Sequence, residues 1–136
     1  VPLSMIRKFK ESYSYVGESE SGARVKIPVG GKPRKIEIGK QVGESCNQLL
    51  QEVFESIKKV IAMASPQSVF SLLQNIILTG GGSRIRNFDQ ELQRLLADDG
   101  YEDPEVTISS REIKPFVAMG AMKVAKAARD DQWVRL

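Results

Sequence analysis

The clearest pattern along the chain is a run of apolar residues at intervals of three or four between Val42 and Ala64. Its members are Cys46, Leu49, Leu50, Val53, Ile57, Val60 and Ile61. Such spacing lines one face of a helix, so the run predicts an amphipathic helix of about six turns. Pro66 ends this helix, because the residue before a proline disfavours helical backbone angles. A short helix through Val69, Leu72 and Leu73 is predicted to follow.

The pattern changes at residues 75–79 to a continuous apolar run that three glycines close. This run predicts a buried parallel strand that leads into a tight turn. Asn87, with Gln90 three residues later, predicts the cap of a helix that buries Phe88, Leu92, Leu95 and Leu96. A loop at residues 98–104, a strand over residues 105–109 and a last helix from Pro115 to Arg129 follow. This β-α-β-α order is typical of a parallel α/β layer.

The first forty residues predict a helix followed by a β-hairpin. Leu3, Ile6 and Tyr13 recur at helical spacing, and this helix is expected to end before Gly17. Alternation at Val25, Ile27 and Val29, and again at Ile36 and Ile38, predicts two strands. The glycines at positions 30 and 31, with Lys32 and Pro33, form the predicted turn. Pro28 suits an edge strand, because it has no amide to donate.

The last predicted helix is rich in small residues. They are Ala118, Gly120, Ala121, Ala125 and Ala128. Glycine in a helix interior costs about 1 kcal/mol relative to alanine. We therefore expect another element to approach this helix closely at Gly120.

Composition narrows the class of protein. With 136 residues, of which 41% are hydrophobic, the chain is long enough for one compact domain. One cysteine and no histidine exclude an internal disulfide, a typical zinc site and Ser-His or Cys-His catalysis. A net charge of +3 gives no reason to expect nucleic acid as a partner. No apolar stretch is long enough for a membrane span, so we expect a soluble, cytoplasmic chain without direct membrane insertion.

The glycine turn at residues 79–84, TGGGSR, is the best candidate for a binding site. Lying between a strand and a helix, it would expose backbone amides and let a ligand approach the main chain. It matches neither the GxxxxGK[ST] nor the GxGxxG phosphate motif, and an ordinary strand-to-helix turn explains the glycines equally well.

Charged residues elsewhere carry weaker signals. Lys10, Glu11 and Lys114 would be ordinary solvated charges if judged by position alone. The hairpin and its flanks carry six cations against Glu37. Such a surface could bind a partner, an acidic surface or nucleic acid, but a solvated face that keeps an edge strand from aggregating is favoured. Cys46 lies on the apolar stripe of the long helix and is expected in the core.

Catalytic machinery for phosphoryl transfer is missing from the sequence. Such chemistry needs a phosphate cradle, a metal-binding carboxylate and a group that orients water. No DxGT or DxGxGT turn occurs anywhere in the chain. No catalytic residue and no metal ligand is therefore assigned, and the chain alone is not expected to hydrolyse ATP.

Several segments together resemble bacterial actin-like filament proteins of the actin, Hsp70 and sugar-kinase superfamily. The run NIILTGGGSRIR at residues 75–86 resembles their adenosine motif. KESYSYVG at residues 10–17, GKP at 31–33, LQNII at 73–77 and QW at 132–133 resemble the magnetosome filament proteins within that group. The resemblance implies the C-terminal part of an actin-like fold, a parallel α/β layer with a small β-hairpin subdomain. It divides the chain at residues 1–16, a helix leading into the small lobe; 17–40, the hairpin lobe, like subdomain IIB; and 41–136, like subdomain IIA.

The resemblance also implies where a nucleotide would lie. Lys10 and Glu11 occupy the place of a Lys-Glu pair that contacts adenine and ribose. Gly81, Gly82 and Ser83 match the turn over the α-phosphate and ribose, and Arg84 and Ile85 lie beside the base. Lys114 matches a position near adenine. The implied cofactor is ATP or ADP with Mg²⁺ in the full-length protein, the Mg²⁺ ligands lying outside this segment.

The implied function is that of a cytoplasmic ATP-dependent filament that assembles with itself and organises magnetosomes, with magnetosome-associated proteins as further partners. One alternative is a truncated, non-catalytic actin-like module that binds filaments or another partner through its basic hairpin. A third is the nucleotide-binding half of a sugar kinase or chaperone, which the small hairpin lobe and the QW ending fit poorly.

Overall fold

A computed structural model describes residues 2–17, 23–109 and 114–129. In chain order the elements are α1 (Leu3–Tyr13), β1 (Arg24–Val29), β2 (Lys32–Glu37), α2 (Gly39–Met63), α3 (Pro66–Leu73), β3 (Ile76–Leu78), a 3-10 turn (Gly82–Arg84), α4 (Phe88–Asp98), β4 (Val106–Ile108) and α5 (Lys114–Ala127). This order confirms the predicted helix, hairpin and β-α-β-α succession. None of the described helices is both long and apolar enough to cross a membrane.

The hairpin of β1 and β2 closes through Gly30 and Gly31 alone, both with positive φ. Lys32 and Pro33, predicted in the turn, instead begin β2, and Ile38 lies beyond its end. A two-glycine turn accounts for the difference, because positive φ at both central residues suits the twist of the flanking strands. Pro28 and Pro33 face each other in the ladder. Hydrogen-bonded and non-hydrogen-bonded pairs alternate along an antiparallel ladder, and residues 23 and 38 form a hydrogen-bonded pair. The two prolines therefore form a non-hydrogen-bonded pair, and the ladder loses no hydrogen bond through their missing amides.

The core lies where α2 and α4 pack together with β4. Its buried residues are Val16, Cys46, Leu50, Phe54, Phe88, Leu92, Leu96 and Val106. The α2 stripe is confirmed at Cys46, Leu50 and Ile61, but Leu49 and Val60 are exposed. Phe54, which the pattern did not include, is buried instead. It follows Leu50 by four residues and therefore lies on the same face of the helix as Cys46 and Leu50.

The parallel pairing of β3 with β4 is confirmed, and Ile76, Ile77 and Leu78 face Val106, Thr107 and Ile108. The burial predicted for β3 is wrong at Ile77, whose side chain is 63% exposed. Successive side chains of a strand point to opposite faces. Ile76 and Leu78 pack against the core cluster, and no described element covers the Ile77 face.

Two further expectations fail in the described residues. Asn87 stands at the start of α4 but makes no capping hydrogen bond through its side chain, because its backbone adopts a left-handed conformation at φ 62°. On α5, a Cβ added to Gly120 would meet nothing within 4 Å. The close neighbour expected there is therefore absent from the part of the chain that the structure describes.

The close approach occurs instead at Gly43 of α2. A Cβ added there would lie 2.3 Å from the hydroxyl oxygen of Tyr15 and 2.7 Å from its Cζ. Tyr15 is buried and its hydroxyl donates to the carbonyl oxygen of Gly39 at 3.3 Å. Gly43 thus lets the segment after α1 lie directly against the first turns of α2.

Replacing Gly43 with alanine is expected to lower the free energy of unfolding by about 1–3 kcal/mol, as overpacking typically does. Denaturant unfolding of the variant measures this. Ser45→Ala, at an exposed position of the same helix, serves as the control and should change stability little. Combining Gly43→Ala with Tyr15→Ala should cost less than the sum of the single changes; full additivity would contradict a direct contact.

Candidate functional site

The glycine turn follows β3 directly. Gly80 has φ +85°, a backbone conformation that side chains rarely adopt, and the chain then winds into the 3-10 turn. Ser83 is 4% exposed, and its hydroxyl donates to the carbonyl oxygen of Gly80 at 2.8 Å. The Ser83 side chain therefore closes the turn from within.

The other side of this turn is open main chain. A Cβ added at Gly80 or Gly81 would meet nothing within 4 Å, and at Gly82 it would only touch Leu49 at 4.0 Å. Within the described residues, the amides of Gly81 and Gly82 donate to no acceptor. The turn can therefore admit a group to its backbone and offer it two N–H donors, as a phosphate or ribose requires.

A short parallel bridge joins the segment after α1 to the segment after the glycine turn. The amide of Val16 donates to the carbonyl oxygen of Arg86 at 3.1 Å, and the amide of Arg86 donates to the carbonyl oxygen of Ser14 at 3.3 Å. Ser14 in turn donates to the carbonyl oxygen of Lys10 through both its amide and its hydroxyl. The bridge thereby fixes the last turn of α1, which carries Lys10 and Glu11, to the end of the glycine turn.

The candidate residues fall into three groups. Lys10, Glu11, Gly81, Gly82 and Arg84 are exposed and belong to the two bridged segments. Ser83 and Ile85 face inward, and Ile85 packs against the core cluster. Lys114 begins α5, and its side chain lies outside the described part of the structure, as do Gln132 and Trp133.

Three residues that hold the site together escaped the sequence patterns. Tyr15 and Arg86 form the bridge, and Asn47 accepts the amide of Gly17 through its side-chain oxygen at 3.2 Å. Single-residue contacts between distant segments leave no periodicity in the sequence. Tyr15 lies in KESYSYVG and Arg86 ends NIILTGGGSRIR, so resemblance to a family marked these two segments without indicating their contact, and it gave no signal for Asn47.

Lys58 and Arg94 form ion pairs with carboxylates on α4 and at its C-terminal end. Lys58 on α2 forms an ion pair with Asp99 at 3.1 Å, and this hydrogen-bonded partner raises the pKa of Lys58 above its ordinary value. Arg94 bonds to Glu91 and Asp98 at 2.8 and 2.7 Å. Among the described residues, no cluster of three or more His, Cys, Asp or Glu side chains could hold a metal ion.

Comparison with known proteins gives concordant matches. The profile of the MreB/Mbl protein family matches residues 8–131. "Actin-like protein MamK" of Magnetospirillum gryphiswaldense is 32% identical over 93% of this chain. A "MamK-like protein" of Paramagnetospirillum magneticum is 26% identical over the whole chain. The chain spans only 34% and 39% of the length of these two relatives.

Two solved structures share the fold. A double-helical filament of MamK superposes with a TM-score of 0.82 at 27% identity, over 95% of this chain and 39% of that one. A non-polymerising mutant of MamK bound to AMPPNP superposes with a TM-score of 0.78 at 27% identity, over 93% of this chain and 38% of that one.

Proposed function

Because the chain belongs to the MreB/Mbl protein family and has an actin-like fold, we propose that it supplies the adenosine side of the nucleotide cleft in an ATP-dependent filament protein. The observation that carries this proposal is the bridge between residues 14–16 and Arg86. It holds the Lys10-Glu11 turn and the open glycine turn in one unit. One of the matched structures contains an ATP analogue, AMPPNP.

Ser83 closes the glycine turn from within, and each of the other candidate residues has a chemical role toward the nucleotide in this proposal. The free amides of Gly81 and Gly82 donate to oxygens near the α-phosphate, and the Glu11 carboxylate accepts from ribose hydroxyls. Lys10, Arg84 and Lys114 lie around the base, with Ile85 as its apolar neighbour. ATP supplies the phosphoryl group whose loss alters the filament. The chain's own residues bind and orient the nucleoside, and Mg²⁺ ligands and catalytic carboxylates belong outside this segment.

The finer biological assignment is a cytoplasmic filament that organises magnetosomes. It rests on the matches to MamK sequences and to the MamK filament. Self-association is the primary partnership in this proposal, with magnetosome-associated proteins as further partners. The subdomain division at residues 16 and 40 is part of the same proposal.

The alternative, a non-catalytic module that binds filaments or a partner, is favoured by the charge of the hairpin. Lys26, Lys32, Arg34 and Lys35 form no ion pair within the described residues. The two functions differ in nucleotide dependence, because a module that has lost catalysis would associate equally with and without ATP.

Titration of ATP onto the protein expressed from its complete reading frame tests the proposal. We expect saturable binding of ATP. Sedimentation should show polymer in the presence of ATP and no polymer when the protein is free of nucleotide. The 136-residue chain alone should bind ATP weakly, because it spans only 34% and 39% of the length of the two relatives compared above and contains no DxGT or DxGxGT phosphate turn. Polymer that forms independently of nucleotide would support the alternative, and tight binding with turnover by the isolated chain would contradict the division of roles.

A further inference from the structure

Helix α1, which carries the Lys10-Glu11 turn, has few anchors of its own. Among the described residues none of its side chains is buried, and Leu3 is 75% exposed. The connecting segment that follows α1, residues 14–17, is packed instead, and its Val16 is fully buried. Because α1 buries so little, the position of the Lys10-Glu11 turn depends on what holds the connecting segment.

Three positions of α2 hold the connecting segment, and they lie four residues apart along the helix. The carbonyl oxygen of Gly39 accepts the Tyr15 hydroxyl at 3.3 Å, and the Tyr15 ring fills the space that a side chain at position 43 would need. One turn further along α2, the side-chain oxygen of Asn47 accepts the amide of Gly17 at 3.2 Å. Residues four apart lie above one another on a helix. The connecting segment therefore runs along one face of the first turns of α2.

Gly17 is confined between α2 and α4. Its φ is +92°, a conformation that side chains rarely adopt, and a Cβ added there would lie 3.3 Å from the carboxyl carbon of Glu91 on α4. Its amide is partly buried where it meets Asn47. A buried donor that loses its acceptor is destabilised, because water no longer reaches it freely. Asn47 thus fixes the end of the connecting segment at a place where the backbone has little room to move.

The hydrogen bonds of the connecting segment lead from Gly17 to both candidate turns. The amide of Val16 donates to the carbonyl oxygen of Arg86, just beyond the glycine turn. Ser14 donates to the carbonyl oxygen of Lys10 through its amide and its hydroxyl. A site whose sides are already in place loses less free energy to ordering when its ligand binds. The attachment to α2 therefore bears on ligand affinity as well as on stability.

We propose that Asn47 is a positioning residue for the nucleotide. By accepting the Gly17 amide, it keeps the Lys10-Glu11 turn in place beside the glycine turn before ATP arrives. Asn47 acts through that turn and makes no contact with the nucleotide itself. The inference rests on the proposed function and deepens it, because it assigns to α2 a role in nucleoside binding.

Titration of ATP onto the protein expressed from its complete reading frame tests this role. Asn47→Ala removes the acceptor and should weaken the affinity for ATP by about three- to tenfold, because the turn must then be ordered as the nucleotide binds. The factor should be the same for ADP, since the turn serves the nucleoside and not the γ-phosphate. Asn47→Asp keeps an acceptor oxygen at the same place and should bind ATP nearly as tightly as the unmodified protein.

A double-mutant cycle separates positioning from a general loss of stability. In a protein that already carries Lys10→Ala and Glu11→Ala, adding Asn47→Ala should weaken ATP binding little further, because the turn through which Asn47 acts is already lost. A general loss of stability would instead lower the affinity by the same factor in both backgrounds. Thermal unfolding of the same samples shows that each variant is folded.

Gln48→Ala is the matched control. Gln48 is the next residue of α2 and also carries a side-chain amide, but it is exposed and donates to Glu52 within the same helix at 3.2 Å. Its replacement should leave the affinity for ATP unchanged. A loss as large as that of Asn47→Ala would show that any change on this part of α2 weakens binding, and it would contradict a specific role for Asn47.

The other outcomes separate this inference from the proposed function. If the unmodified protein binds ATP and Asn47→Ala binds it equally well, the positioning role is refuted and the proposed function stands. The positioning role is also refuted if Asn47→Asp loses as much affinity as Asn47→Ala, or if the losses in the cycle add fully. If the unmodified protein binds no ATP, the proposed function is refuted and the positioning role with it.

Discussion

Substitution of Leu92 by alanine is expected to lower the free energy of unfolding by about 2–5 kcal/mol. Leu92 on α4 is fully buried, and it belongs to the cluster that joins α2, α4, β4 and Val16. Removing its branched end takes apolar surface out of the core and leaves a cavity that a close-packed interior fills only partly. Denaturant unfolding followed by circular dichroism measures the change.

Leu3→Ala provides the matched control for this substitution. Leu3 is 75% exposed on α1, so the same chemical change should alter stability by no more than about 0.5 kcal/mol. Leu92→Met, which nearly conserves volume, should cost less than about 1.5 kcal/mol. Equal losses for Leu92→Ala and Leu3→Ala would show that the α2–α4 cluster is not the core of the folded protein.

Helical periodicity predicted the long helix well because a helix repeats one physical constraint many times. Cys46 and Leu50 lie on the buried side of the helix as expected. The pattern could not show which of two neighbouring apolar faces of the helix is buried. It therefore included Leu49 and Val60, which are exposed, and missed Phe54, which is buried. That choice depends on what packs against α2, and the helix sequence alone does not contain this information.

Burial of the strand and of the last helix was less predictable for a related reason. A continuous apolar run such as residues 76–78 shows that both faces of a strand are apolar, and it does not show which partner covers each face. Ile77 and the small-residue face around Gly120 are uncovered by the described residues. Gly43, which no sequence pattern singled out, proved to be the position of close approach.

The arrangement of the candidate site depended on a contact that no local pattern encodes. The glycine turn is a local feature, and its place between a strand and a helix followed from sequence. Its attachment to the Lys10-Glu11 turn depends on the bridge between Tyr15 and Arg86, which are 71 residues apart in the chain. Such a pairing arises only when the core has brought the end of α1 and the start of α4 together.

Gly81→Ala is expected to lower the affinity for ATP by about tenfold or more while leaving the fold intact, a loss of about 1.4 kcal/mol in binding free energy. Gly81 has an ordinary helical backbone, with φ −65° and ψ −31°, so alanine adopts it without strain. Its added methyl group meets nothing in the protein and projects into the open space beside the turn. A nucleotide that lies against this backbone would collide with the methyl group.

Isothermal titration of ATP onto the complete protein, compared with thermal unfolding of the same samples, separates a lost contact from a lost fold. Gly120→Ala is the matched control, because its added methyl group also meets nothing within 4 Å and Gly120 is not among the candidate site residues. It should bind ATP as the unmodified protein does. Unchanged affinity in Gly81→Ala would show that the nucleoside does not lie against the glycine turn. Because the bridge fixes Lys10 and Glu11 next to that turn, the same result would contradict their assignment as nucleoside contacts.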